Sequence, residues 1–290
     1  MKLVRFGDPG AEQPGVLDSK GRLRSLRDHV ADITAGEIAR IAAQIAQCDC
    51  ETLPLVDGNP RIGIPIAGIG KIVAIGLNYR DHAIESNLPI PTEPIMFMKS
   101  ISSLNGPNDD VMLPPGSTAS DWEVELGVVI GRRARHVAQA DAMAHIAGFV
   151  LVNDVSERFN QKERGSQWSK GKGHDTFCPV GPWLVTPDEI DDPMALAMWL
   201  DVNGVGMQTG NTGTMIFSLA ELISYVSRFI TLEPGDLLIT GTPPGVGEGK
   251  RPDKIFLKPG DVMSLGIDGL GTQRQHVIAF DPSWPENRDT

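Results

Sequence analysis

Three stretches carry residues whose types and spacing could do chemistry. In DWEVELGVVIG, residues 121–131, Glu123 and Glu125 stand one residue apart at the head of an apolar run. A strand alternates its side chains between two faces, so Trp122, Val124, Leu126, Val128 and Ile130 share one of them. Asp121, Glu123 and Glu125 share the other, which continues as Gly127, Val129 and Gly131. Like charges so placed repel unless something positive lies between them. An isolated Glu-x-Glu is more often a wet strand face than a site. Here, however, the opposite face is wholly apolar, and the acidic face turns to glycine and valine. It is therefore expected to enter the interior, with room behind the glutamates for a ligand. Asp154 ends the next strand-like segment, GFVLVND. It can cap the helix begun by SERFNQKE, or join the glutamates in an oxygen-rich site of the kind that Mg2+ or Mn2+ prefers. Zinc fits less well, because no Cys or His cluster accompanies the acids.

The second stretch is GLNYRDHAIES, residues 76–86, where a strand gives way at Gly76 and a short helix is expected from about Tyr79. His82 and Glu85 are three residues apart, neighbours on one helical face. A carboxylate beside an imidazole fixes its tautomer and raises its basicity, which suits a general base acting on water; a surface His–Glu pair has the same spacing. The third is WSKGKGHDTFCPVGPW, residues 168–183, with Lys170 and Lys172 among glycines. Such a loop can bring a lysine to a bound anion, or be a plain connection. TGTPPGVG, residues 240–247, is a Gly/Pro loop after a strand, and no Gly-Lys-Ser/Thr follows to make it a phosphate loop.

The elements that must position these residues are mostly short strands. KIVAIG, IMFMKS, WEVELGVVIG, GFVLVND, WLVT and MWLDVNG are bounded by turn residues, while EPGDLLITG and KPGDVMSLGI each use a Pro-Gly turn to feed a strand. One helix interrupts them: Ile216, Leu219, Leu222, Ile223, Val226, Phe229 and Ile230 fall on one face, and Ser218 with Glu221 is spaced as a capping box. The first 60 or so residues read as a small unit of three strands (KLVRFG, QPGVLDS, RLRSL) and a helix striped by Ile38, Ile41 and Ile45.

The chain has 290 residues, 41% hydrophobic and 22% charged, the balance of a soluble globular protein. Its net charge of −11 argues against a nucleic-acid partner. The N-terminus lacks the apolar stretch of a signal peptide, no apolar run is long enough to span a bilayer, and three cysteines (Cys48, Cys50, Cys178) read as inert thiols. A cytoplasmic enzyme is expected.

In this order, these stretches resemble the fumarylacetoacetate hydrolase (FAH) family over roughly residues 65 to 270. Those that carry the likeness are GLNYRDHAIE, PIMFMKS, WEVELGVVIG, GFVLVNDVSERFNQ, GKGHDTFCPVGPWLVT, GNTGTMIFSLAELISYVSRFITLEPGDLLITGTPPGVG and LKPGDVMSLGIDGLG. The resemblance implies a β-rich α+β fold, a mixed β-sandwich roll over residues 66–290 beside a small N-terminal α/β domain at 1–65. It implies a homodimer or higher homo-oligomer, and Mg2+ (or Mn2+) held by Glu123, Glu125 and Asp154. His82 and Glu85 match the family's H-x-x-E catalytic pair. Lys172, the third catalytic candidate, and Thr176 match a lysine–threonine pair lining the metal site. Arg158, Gln161 and Thr212 match substrate-facing positions, and His174 replaces an aromatic residue common in other members. Ile75 stands where the animal tyrosine-degradation enzyme has a further aspartate. That is the three-carboxylate version found in acylpyruvases, and it argues against fumarylacetoacetate itself as substrate.

The activity so implied is hydrolysis of the C3–C4 bond of a 2,4-diketo acid. A water activated by His82 would attack C4, and the departing pyruvate enolate would be stabilised by the cation. Likeness to members of bacterial sugar-acid pathways points to a 2,4-diketo-3-deoxy acid of the L-rhamnonate or L-fuconate type, a small anion, giving pyruvate and a hydroxy acid such as lactate. Oxaloacetate decarboxylation, or another lyase, isomerase or dehydratase reaction on an oxo acid, is the alternative on the same platform. A metal-binding protein without turnover is disfavoured by the complete His82, Glu85 and Lys172 set.

Overall fold

The computed structural model describes residues 1–283 apart from Ala46, Cys48 and Ser86, so the expectation for Cys48 lies outside the described residues. A nine-stranded mixed sheet runs in the order 23–25, 13–17, 2–6, 184–185, 146–153, 124–130, 237–239, 72–76 and 95–99. A second sheet of five strands runs 205–211, 197–202, 262–267, 271–278 and 111–112. The apolar face expected for strand Val124–Ile130 is the one that meets this second sheet. Val124, Leu126, Val128 and Ile130 pack with Met198, Leu200, Met263, Leu265 and Ile267 in one core. Fully burying an aliphatic side chain of this kind contributes roughly 1.5–3 kcal/mol, so the register of this strand is firmly set.

The opposite face is buried as well. Val129, Val150 and Val152 join Ile38, Ile41 and Ile45 of the helix Ile38–Ile45 in a second core. The space behind the glutamates is therefore not room for a ligand. A side chain at Gly127 would lie 2.7 Å from methyl groups of both Val150 and Val152, so the glycine is there because neighbouring strand residues fill its volume. The three N-terminal strands continue the large sheet, Lys2 lying opposite Val185.

The turns follow the sequence. Gly235 and Gly260 adopt φ of 90° and 96° in the two Pro-Gly turns, a region open to glycine at little cost. Helix Leu219–Val226 starts with the full capping box of Ser218 and Glu221. It stops sooner than the apolar spacing implied: Phe229 lies beyond the helix, 62% exposed, tilted against Tyr225. No helix among the described residues is long and apolar enough to cross a membrane.

Candidate active site

Register brings the acids together. Strand Ile146–Asn153 runs antiparallel to Val124–Ile130 with Val152 opposite Glu125 and Asn153 opposite Val124, and the Asp154 N–H donates to the Glu123 carbonyl at 2.8 Å. The start of one strand and the end of the other thus meet, and carboxylate oxygens of Glu123, Glu125 and Asp154 lie within 4.8 Å of one another, all three buried. Strand Leu237–Ile239 lies antiparallel beside Val124–Ile130 and parallel to Ile72–Gly76, so the segments that follow both of them arrive at the same edge.

The turn after Gly76 is held by Asn78, whose side chain donates to the Thr240 carbonyl at 2.9 Å and accepts from Phe217 N at 2.8 Å. Helix Arg80–Glu85 then presents His82 Nδ1 to Glu85 Oε2 at 3.3 Å. The loop after Ile239, unassigned by the sequence, holds both halves of the site. Gly241 N donates to Glu125 Oε2 at 2.7 Å, and Gly245 N donates to the two Glu85 oxygens at 3.1 and 3.0 Å. Gly241 has φ 94° and a Cβ there would sit 2.9 Å from that of Asn78, so only glycine serves at this crossing.

Lys172 is no loop lysine. It ends the helical turn Ser169–Lys172, is 2% exposed, and its Nζ lies 2.6 Å from both Glu123 Oε2 and Asp154 Oδ2. Lys170 faces outward and donates to the Arg164 carbonyl. Gly171 packs against Gln161 and the Glu157 carbonyl, so its role is close approach, not flexibility. Asp154 does not cap the following helix; Glu157 does, accepting from Asn160 N at 2.6 Å.

Burial would raise the Glu123 carboxyl, but Lys172 and Arg158 outweigh it and hold it below the usual range. Glu125 goes the other way: burial, then the charges of Asp154 and Glu123, push it well above its ordinary value of 4.5. Burial works against the Lys172 ammonium, yet Asp154 and Glu123 keep it protonated. Burial also works against the Glu85 carboxylate, and the hydrogen bonds from His82 and the Gly245 N–H override it. Three hard-oxygen donors, one of them under repulsion that Lys172 and the Gly241 N–H only partly offset, fit a divalent cation of the Mg2+ or Mn2+ kind.

A cavity of about 310 Å³ opens onto two of the three carboxylates, lined by His82, Glu123, Glu125, Lys172, Arg158, Gln161 and Trp168, with Glu248, Arg251 and Lys254 also in its wall. Three expected substrate contacts are not among its lining residues. Each hydroxyl or ring is engaged elsewhere: Thr176 Oγ1 accepts from Met112 N at 2.8 Å, Thr212 Oγ1 from Leu196 N at 2.9 Å, and His174 meets Asn160 and Phe177. Arg158 does line it, with Nε bonded to Asp121 at 2.9 Å and Nη1 to Gln161 at 3.1 Å, while Nη2 is in a 2.6 Å ion contact with Glu123 but makes no hydrogen bond.

Sequence reasoning missed Lys99 inside PIMFMKS. It is buried, with Nζ 2.6 Å from Asp154 Oδ1 and a further bond to the Lys172 carbonyl. A lysine ending an apolar strand was the available signal. It also passed over Trp168, edge-on to Phe97 at 5.2 Å, with Lys172 Nζ 5.3 Å from the Phe97 centroid.

The chain is 68% identical over 277 residues to the 2,4-didehydro-3-deoxy-L-rhamnonate hydrolase of Sphingomonas sp. (strain SKA58), covering 96% of each. The fold matches fumarylacetoacetate hydrolase from psychrophilic Exiguobacterium antarcticum, with TM-score 0.87 and 33% identity over 97% of this chain and 100% of that one. It also matches maleylpyruvate hydrolase from Sphingobium sp. SYK-6, a complex with manganese(II) and pyruvate, with TM-score 0.80 and 27% identity over 97% and 100% of the two chains. The model of the fumarylacetoacetate (FAA) hydrolase C-terminal region matches residues 71–278, and the chain belongs to that family.

Proposed function

We propose that this chain is a divalent-metal-dependent hydrolase that cleaves the C3–C4 bond of a 2,4-diketo-3-deoxy sugar acid of the L-rhamnonate or L-fuconate type, giving pyruvate and a hydroxy acid such as lactate. The observation that carries the reading is a cluster of three buried carboxylates, two of which, Glu123 and Glu125, line one cavity together with His82, the partner of Glu85. The close relative acting on 2,4-didehydro-3-deoxy-L-rhamnonate supports the substrate class.

Glu123, Glu125 and Asp154 would hold the ion, which as a Lewis acid supplies stabilisation of negative charge on the oxo acid. An ionised Glu85 accepts the His82 Nδ1–H, which leaves Nε2 as the group that takes a proton from water attacking C4. The two Gly245 hydrogen bonds keep Glu85 ionised and aimed. Lys172, held protonated by its neighbours, suits charge neutralisation at the reacting oxygens better than proton donation. Trp168 and Phe97 dry one wall, which strengthens these charge interactions.

The test offers acylpyruvates, diketo-deoxy sugar acids and oxaloacetate with Mg2+ or with chelator, following pyruvate release and loss of the enol absorbance. The expected result is metal-dependent cleavage fastest on a six-carbon 2,4-diketo-3-deoxy acid. Turnover confined to oxaloacetate, retained in Glu85→Gln, would overturn it in favour of decarboxylation, which needs no attacking water.

A further inference from the structure

We infer that Asp121 is a positioning residue that holds the metal carboxylates and the His82–Glu85 pair in one frame. The inference rests on the proposed metal and His82–Glu85 site and assigns a residue outside it. Asp121 is fully buried, does not line the cavity and is not one of the three clustered acids. Its carboxylate nevertheless receives four donors. Trp122 N and Gly247 N reach Oδ1 at 2.9 and 2.7 Å, while Arg158 Nε and Glu248 N reach Oδ2 at 2.9 and 3.0 Å.

Two of these donors lead to different halves of the site. Arg158 stands between Asp121 and Glu123, its Nη2 2.6 Å from Glu123 Oε1. While Asp121 shares its charge, Arg158 orients Glu123 without fully neutralising it. Remove the Asp121 charge and the guanidinium is left to Glu123 and the more distant Glu248, 3.7 Å from Nε, so it bears more heavily on Glu123 Oε1 and competes with a cation there. The other lead is the turn 245–249. Gly247 approaches Asp121 so closely that a Cβ there would lie 2.8 Å from Oδ1 and would also strike the Ile255 carbonyl. The same turn presents Gly245 N to both Glu85 oxygens, and a Cβ at Gly249 would lie 2.7 Å from Glu85 Cδ. By anchoring the middle of the turn, Asp121 fixes Gly245, which donates to Glu85, and Gly249, which packs against it. One buried carboxylate thereby sets both cation affinity and base orientation.

The experiment compares wild type with Asp121→Asn, which keeps the volume but can no longer accept from all four donors. Mn2+ affinity is read by electron paramagnetic resonance, hydrogen exchange over residues 241–256 by mass spectrometry, and kcat and KM on the best substrate of the panel. Expected are a 10–100-fold loss of Mn2+ affinity, the range for partners that orient ligating groups, faster exchange in the turn, and a fall in kcat larger than any change in KM. In an Arg158→Gln background the Mn2+ effect of Asp121→Asn should vanish, because it acts through that side chain. Should Asp121→Asn not fold, Gly247→Ala displaces the turn from Asp121 by the loop's side, and lower kcat with faster exchange is expected. A lower melting temperature with unchanged Mn2+ affinity, turn exchange and kcat would overturn the inference and leave Asp121 a structural group only. If wild type binds no Mn2+, the metal reading fails separately, and turn exchange with kcat on whatever substrate is found still decides the role of Asp121.

Discussion

Two charged clusters line cavities in this molecule, and they obey opposite rules. Arg5 and Arg61 sit in the wall of a cavity of about 380 Å³, larger than the 310 Å³ space over two of the three carboxylates. There each acid meets an arginine: Arg5 grips Asp32 with Nε at 2.7 Å and Nη2 at 3.0 Å, and Arg61 holds Asp109 and Glu12 with contacts of 2.6 to 2.9 Å. That cluster closes on itself and ties the N-terminal strands to the segment after Lys99. At the other cavity Glu125 is met by the Gly241 N–H at 2.7 Å and, among the described residues, by no ion pair. Burial, and then the neighbouring carboxylates, keep its proton affinity high. The smaller cavity is the one proposed as the site because Glu125 there has no ion pair among the described residues, whereas the arginines and acids of the larger one pair with each other.

That contrast breaks most sharply at the base. His82→Ala should lower turnover by about 10²–10⁴-fold, the usual worth of general-base catalysis, while Mn2+ still binds in a titration; retained turnover would exclude His82 as the general base. Glu125→Gln comes next. Wild type at metal concentrations 100 times the dissociation constant should gain about 2.7 kcal/mol of stability, and calorimetry should find this gain missing in the variant. Arg61→Met is expected to cost about 2 kcal/mol of stability through stranded carboxylates with no change in Mn2+ affinity or kcat, since its cluster touches neither. The smallest effect is that of pH. Because the folded-state pKa of Glu125 lies well above 4.5, metal-free protein gains stability as pH falls from that raised pKa towards 4.5. In the same window protons compete with metal, so Mn2+ affinity should weaken by up to about tenfold per pH unit. A pH-independent affinity would place the ion elsewhere.

Much of this was legible because local periodicity carries it. Alternation along DWEVELGVVIG put Glu123 and Glu125 on one face, and three-residue spacing put His82 beside Glu85. Turn glycines and the Ser218–Glu221 box were equally local. The family likeness then named Asp154 and Lys172 as partners. Two of the positions it named, Thr176 and Thr212, also have a backbone task in this fold, each hydroxyl accepting a main-chain N–H. Gly127 misled for a related reason, since an empty Cβ position in a strand is room only if the neighbouring strands leave it unfilled.

By itself the sequence determined which residues have charge, which face of each strand they occupy and where the turns fall, because these depend on neighbours within a few positions. Only the tertiary structure decided which charges would be satisfied. Lys99 reaches Asp154 across 55 positions, Gly247 reaches Asp121 across 126, and Gly245 reaches Glu85 across 160. Such partners are chosen by sheet order and loop closure, which no short-range pattern encodes. Of the three clustered carboxylates, they leave Glu125 with a backbone amide and, among the described residues, no ion pair.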